Sequence, residues 1–153
     1  MANIKKTEEM LMRAIFEVFE KMFYLFTEPL WGGGGDYQMK SSVSFKGPIS
    51  GTMQISLSTG IAHNMVQNML NLEQGEITET VMADCVKESI NMICGNFVRK
   101  LDPERVFQLS IPTFEVISGN PDQRQDMQDQ AVRLTFTADG GYVEVTLTAP
   151  DLQ

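Results

Sequence analysis

Asp84, Glu88, Asn91 and Gly95 are the residues whose types and spacing could do chemistry. On a helix of 3.6 residues per turn, with Glu88 as origin, Asp84 falls at about −40°, Asn91 at about −60° and Gly95 at about −20°. One narrow stripe would then carry two carboxylates, a carboxamide and a stretch of bare backbone. A carboxamide donates and accepts hydrogen bonds at once, so it can fix both the place and the orientation of a water molecule. Glu88, one turn away with its Cβ about 5–6 Å from that of Asn91, points in the same direction.

The stripe exists only if KESINMICGNFVRK (87–100) is helical, and the apolar spacing predicts that it is. Met82, Val86, Ile90, Ile93 and Phe97 cluster between about 120° and 200°, nearly opposite the stripe, as on an amphipathic helix docked on a core. The Glu/Asn face is therefore expected in water. In that orientation Asn91 and Gly95 cost about 0.7 and 1 kcal/mol against Ala, with no burial to offset them. A purely structural account has Gly95 letting another element pack closely and Asn91 merely tolerated. Asn96, at about 80°, is expected to hydrogen-bond within the protein.

The flanking elements follow from period and punctuation. Residues 5–27 carry apolar positions at helical spacing, and Thr27-Glu28-Pro29 is expected to end that helix. The glycines Gly32–Gly35 read as a turn; a phosphate cradle would need a helix with Lys and Ser or Thr to follow, and a strand-like run follows instead. Residues 37–46 and 49–58 alternate around Gly47-Pro48 as a hairpin, and 60–71 form a short helix containing His63. Thr78 or Thr80 caps the long helix, which Asp102-Pro103 stops. Strands are expected at 107–117, 131–138 and 141–149, the last two joined at 138–141, with the polar tract 119–130 as a mobile loop. The chain thus repeats loosely as helix plus antiparallel hairpin. Placing Glu17 on Glu88 puts Glu20 on Asn91 and Tyr24 on Gly95, and GTMQISLS (51–58) on GYVEVTLT (141–148).

At 153 residues with 42% hydrophobic content, the chain reads as a single domain, 1–153, of α+β class. A net charge of −8 argues against nucleic acid or an anionic membrane as partner and favours a basic protein surface. MANIKKTEEM lacks the apolar block of a secretory signal, and no run approaches a membrane span, so a cytoplasmic location is expected. Cys85 and Cys94, about 13 Å apart along one helix, cannot bridge each other and read as buried or half-buried thiols. With one histidine and no Cys pair at ligand spacing, no metal site is expected.

Glu88-x-x-Asn91 followed by Gly95-Asn96 resembles the signature helix of the CheC/CheX family of chemotaxis phosphatases. The run DCVKESINMICGN (84–96) looks like CheX in particular, and RAIFEVFEKMF (13–23) is similar to the CheX helix that lacks a working motif. The resemblance implies a CheC/CheX-like fold, with long helices packed on a mostly antiparallel sheet. It implies an enzyme that hydrolyses the aspartyl phosphate of a CheY-like receiver domain, with Mg²⁺ held by that partner and no cofactor of its own. Asn91 would orient the attacking water, a role that suits phosphoryl transfer, where positioning dominates. Glu88 would bridge a lysine of the receiver, Gly95 would admit its surface, and Asp84 would add charge to the rim. The resemblance also implies a homodimer through a sheet edge, formed by 141–149 or 107–117. The alternative is a non-catalytic receiver-binding or flagellar-switch-like module on the same scaffold, since Glu17-x-x-Glu20 has already lost the amide.

Overall fold

The structure, a computed structural model, describes residues 2–31, 35–117 and 132–152. The first helix, α1 (Ala2–Phe23), buries Leu11, Ala14, Ile15, Val18, Phe19 and Phe23 along one face. It ends four residues before Thr27, earlier than the proline and its neighbours suggested. Tyr24 takes φ +52°, in the left-handed region, and Leu25 N–H turns back to Phe19 O at 3.0 Å. That reversal ends the helix, so Phe26, which shared the apolar period, points into solvent at 76% exposure.

Among the described residues seven strands make one antiparallel sheet: β1 (Glu28–Pro29), β2 (Met39–Lys46), β3 (Gly51–Leu57), β4 (Gln108–Leu109), β5 (Thr113–Val116), β6 (Val132–Ala138) and β7 (Gly141–Thr148). Their order is β1-β6-β7-β3-β2-β4, with β5 also on β2. The predicted hairpins are present, and Asp139 and Gly140 close the second with φ of 48° and 77°. The single strand expected over 107–117 is broken in two. Leu109 lies opposite Phe45 and Thr113 opposite Ser42, so four steps on one strand match three on the other, and Pro112 sits in the resulting bulge. The glycines 32–34 and the polar tract 119–130 lie outside the described residues.

Alternation in β2, with Met39, Ser41, Val43 and Phe45 buried, turns one sheet face toward the helices. Two further helices complete that layer, α2 (Thr59–Leu70) and α3 (Glu79–Leu101). Thr78 caps α3 by accepting Val81 N–H at 3.2 Å, and Asp102 follows its last turn. Val86, Ile90, Ile93 and Phe97 are fully buried, and Phe97 packs edge-on against Phe45 of β2 with centroids 6.4 Å apart. Burial of each such side chain contributes about 1.5–3 kcal/mol, which is what holds the helix down.

The internal repeat is visible in the sheet register. In the alignment of 51–58 on 141–148, Ile55 corresponds to Val145, and the two face each other across the β3–β7 pair. Thr52 opposite Thr148 becomes, on exchange of the halves, Tyr142 opposite Ser58, and Ser58 N–H does bond Tyr142 O at 3.1 Å. The halves therefore meet about a local twofold. The helices obey it as well: α1 and α3 are antiparallel. Glu17 reaches Asn96 and Lys100 near the end of α3, whereas Phe23 O and Cys85 Sγ, nearer its start, meet the neighbouring Asn68 and Met69 of α2.

Candidate functional site

α3 buries a wider face than the apolar residues alone outline, because Cys85, Ser89, Cys94 and Val98 are buried too. The helix is wedged between α1, α2 and the sheet, and Ser89 is accommodated there by donating its hydroxyl to Val86 O at 2.6 Å. Both thiols are raised to about 12, Cys85 by desolvation and then by the charge of Glu88, Cys94 by desolvation. They are inert at neutral pH.

What remains outside is the stripe. Asp84 is exposed, and Glu88, Asn91 and Gly95 are half-exposed. The four predicted residues thus share one accessible face of one rigid helix. Among the described residues, neither the Glu88 carboxylate nor the Asn91 carboxamide meets a hydrogen-bond or ion-pair partner. Asp84 pairs with Lys87 at 3.5 Å, which neutralises part of the rim. A Cβ added to Gly95 would find nothing within 4 Å. The structural account of Gly95 as a point of close packing therefore finds no support: among the described residues, the glycine makes room for nothing.

Glu17, the counterpart of Glu88, is in the opposite situation. Its Oε2 accepts from Asn96 Nδ2 at 2.9 Å and its Oε1 from Lys100 Nζ at 3.0 Å. The Asn96 amide, then the Lys100 ammonium, hold this carboxyl below its ordinary range. Asn96 hydrogen-bonds within the protein, as its wheel position predicted. Its partner was not foreseen; the equivalence of Glu17 with Glu88 located the acid, but only the antiparallel helix pair brings it to Asn96. Glu20, aligned with Asn91, is exposed.

The stripe lies on a helix surface. A cleft of about 500 Å³ elsewhere is lined by His63, Asn64 and Gln67 of α2 and by the turn 139–141, and by no stripe residue. Small-molecule sites are concave, so a substrate for this face must supply the concavity itself. Among the described residues no three His, Cys, Asp or Glu side chains come together as metal ligands, and no helix is long and apolar enough to cross a membrane.

Residues 39–137 match the family model described as chemotaxis phosphatase CheX. No curated protein matches the chain. Among solved structures it is similar to the chemotaxis protein CheX from Desulfovibrio desulfuricans (TM-score 0.74, 17% identity, 94% of this chain and 99% of that one). It is also similar to CheX from Vibrio vulnificus (0.72, 19%, 92% and 95%). A third is CheX from Borrelia burgdorferi, solved as a CheX–CheY–BeF3–Mg²⁺ complex (0.72, 23%, 92% and 96%). At these identities the likeness shows a common fold.

Proposed function

The chain belongs to the CheX family of chemotaxis phosphatases, and on that premise we propose that it hydrolyses the aspartyl phosphate of a CheY-like receiver domain. One observation carries the reading: among the described residues, Glu88 and Asn91 stand side by side on an accessible face with their polar groups unengaged, beside a glycine against which nothing packs. An unpartnered pair on the outside of a helix suits a site that is completed by another molecule.

Asn91 enters the partner's phosphorylated cleft and holds a water in line with phosphorus, accepting one hydrogen bond from it and orienting its lone pair. The water oxygen bonds to phosphorus as the acyl oxygen leaves as the aspartate carboxylate, and the water's proton passes to solvent. On this reading the Mg²⁺ is the receiver's and this chain brings no cofactor of its own. Glu88 pairs with a lysine of the receiver and docks the helix, Gly95 lets the partner's backbone come close, and Asp84 adds to the negative rim. The protein acts in the cytoplasm in chemotaxis or related two-component signalling.

A homodimer is part of this proposal. Of the two edges expected to form it, β7 is excluded because it lies in the middle of the sheet, between β6 and β3. Among the described residues the 107–117 segment is an outer edge, and Ile111 and Val116 are exposed along it at 88% and 56%.

The test is phosphate release from a phosphorylated receiver domain of the same source, timed with and without the protein. Faster release supports the reading. Binding without faster release would assign the chain to the non-catalytic receiver-binding modules of this scaffold.

A further inference from the structure

We propose that Glu17, Asn96 and Lys100 are positioning residues that set the rotation of α3, and so the aim of Asn91; this rests on the phosphatase reading above. The Glu17 carboxylate uses both oxygens, at 2.9 and 3.0 Å, on two side chains one turn apart on α3. The buried face carries α3, and both bonds lie off its axis, about 40° apart on the wheel, so each adds to what opposes the last degrees of roll. Rolling α3 by about 20° would move a carboxamide at a radius of about 6 Å by about 2 Å. A displacement of about 1 Å in a group that holds a reactant can lower the rate about 10²-fold.

The clamp is one-sided, and that leaves the working acid free. Exchanging the halves maps Asn96 onto Leu25 and Lys100 onto Pro29. Both lie beyond the end of α1, and neither has a polar side chain to offer Glu88. Glu17 thus finds on α3 the cation that Glu88 does not find among the described residues. The two aligned acids have divided between them the tasks of holding the helix and docking the receiver.

The experiment measures receiver dephosphorylation against receiver concentration for wild type, Glu17→Ala, Asn96→Ala, the double variant and Asn91→Ala, with folded fraction checked by thermal melts. Hydrogen exchange of the amides at 91–97, without receiver, gives a second readout. The clamp predicts about a 10-fold fall in turnover at saturating receiver in each single clamp variant, with KM within about 3-fold and the double variant no worse than either single one. It also predicts faster exchange at 91–97. Turnover within 2-fold of wild type in both folded single variants, while Asn91→Ala is inactive, overturns the clamp and leaves the phosphatase reading intact. If wild type is no faster than Asn91→Ala, the phosphatase reading fails, and unchanged exchange in Asn96→Ala then overturns the clamp as well.

Discussion

Glu17 and Lys100 pair at 3.0 Å between two antiparallel helices, and by that ion pair the acid of the first helix is withdrawn from any partner. Glu88, its counterpart, has no such neighbour among the described residues. This difference between two aligned carboxylates separates the residues that should act on a receiver from those that should act on the helix.

If Asn91 orients the attacking water as proposed, Asn91→Ala should lower turnover by roughly 10²-fold, about 2.7 kcal/mol, with receiver affinity little changed. Glu20→Gln should leave activity within a few-fold, since a carboxylate near a phosphoryl group repels it and, when ionised, donates no hydrogen bond. Phosphate release at saturating receiver compares the two. A large loss in the Glu20 variant would place the site on α1.

If Glu88 docks the helix on a receiver lysine as proposed, Glu88→Ala should weaken binding and slow turnover together. Titrating receiver affinity against ionic strength distinguishes this from unfolding. Wild-type binding should weaken with salt, and the variant should show a smaller salt slope. Equal slopes would remove Glu88 from the interface.

Gly95→Ala makes opposite predictions for stability and function. The added methyl meets nothing within 4 Å, so it should raise stability by up to about 1 kcal/mol, the helix-propensity difference between the two residues. In a chain of this size that is about 2–4 °C in Tm. Receiver binding should fall in the same variant, because the methyl occupies space that the partner's surface would fill. A more stable variant with undiminished binding would leave the glycine without a role.

The Glu17 clamp fixes a direction of pH dependence. Asn96 and Lys100 hold its carboxyl below the ordinary glutamate range in the folded chain. Its stabilising effect is therefore complete above the unfolded value and is lost as pH falls through the lower folded one. The pair is partly exposed, with side chains 28% and 39% accessible, so the contribution is less than about 1 kcal/mol. The Tm difference between wild type and Glu17→Gln should be a few degrees at most at pH 7, and should shrink as pH falls below the ordinary glutamate range until it is gone at the acid end. A difference that persisted at the acid end would show that charge is not what Glu17 contributes.

Local chemistry was legible in the sequence. The α3 stripe followed from a period of 3.6, the start of α3 from the hydroxyls of Thr78 and Thr80, of which the structure uses Thr78, and both hairpins from their turn residues. Each depends on neighbours only a few residues away, whose effect on the backbone is steric and nearly independent of the rest of the fold. The α+β class followed because alternating and helical periods can be covered together in few ways. The end of α1 did not follow: the left-handed turn at Tyr24 is an uncommon choice for a bulky residue and has no composition signal.

By itself the sequence determined which side chains α3 would turn outward, since a helix shows its faces by spacing alone. Only the tertiary structure decided which of two aligned acids would be available. Glu17 and Lys100 are 83 positions apart, and nothing local ties them together. Their bond exists because the core sets α1 antiparallel to α3 and because α1 stops before it could offer Glu88 a matching pair.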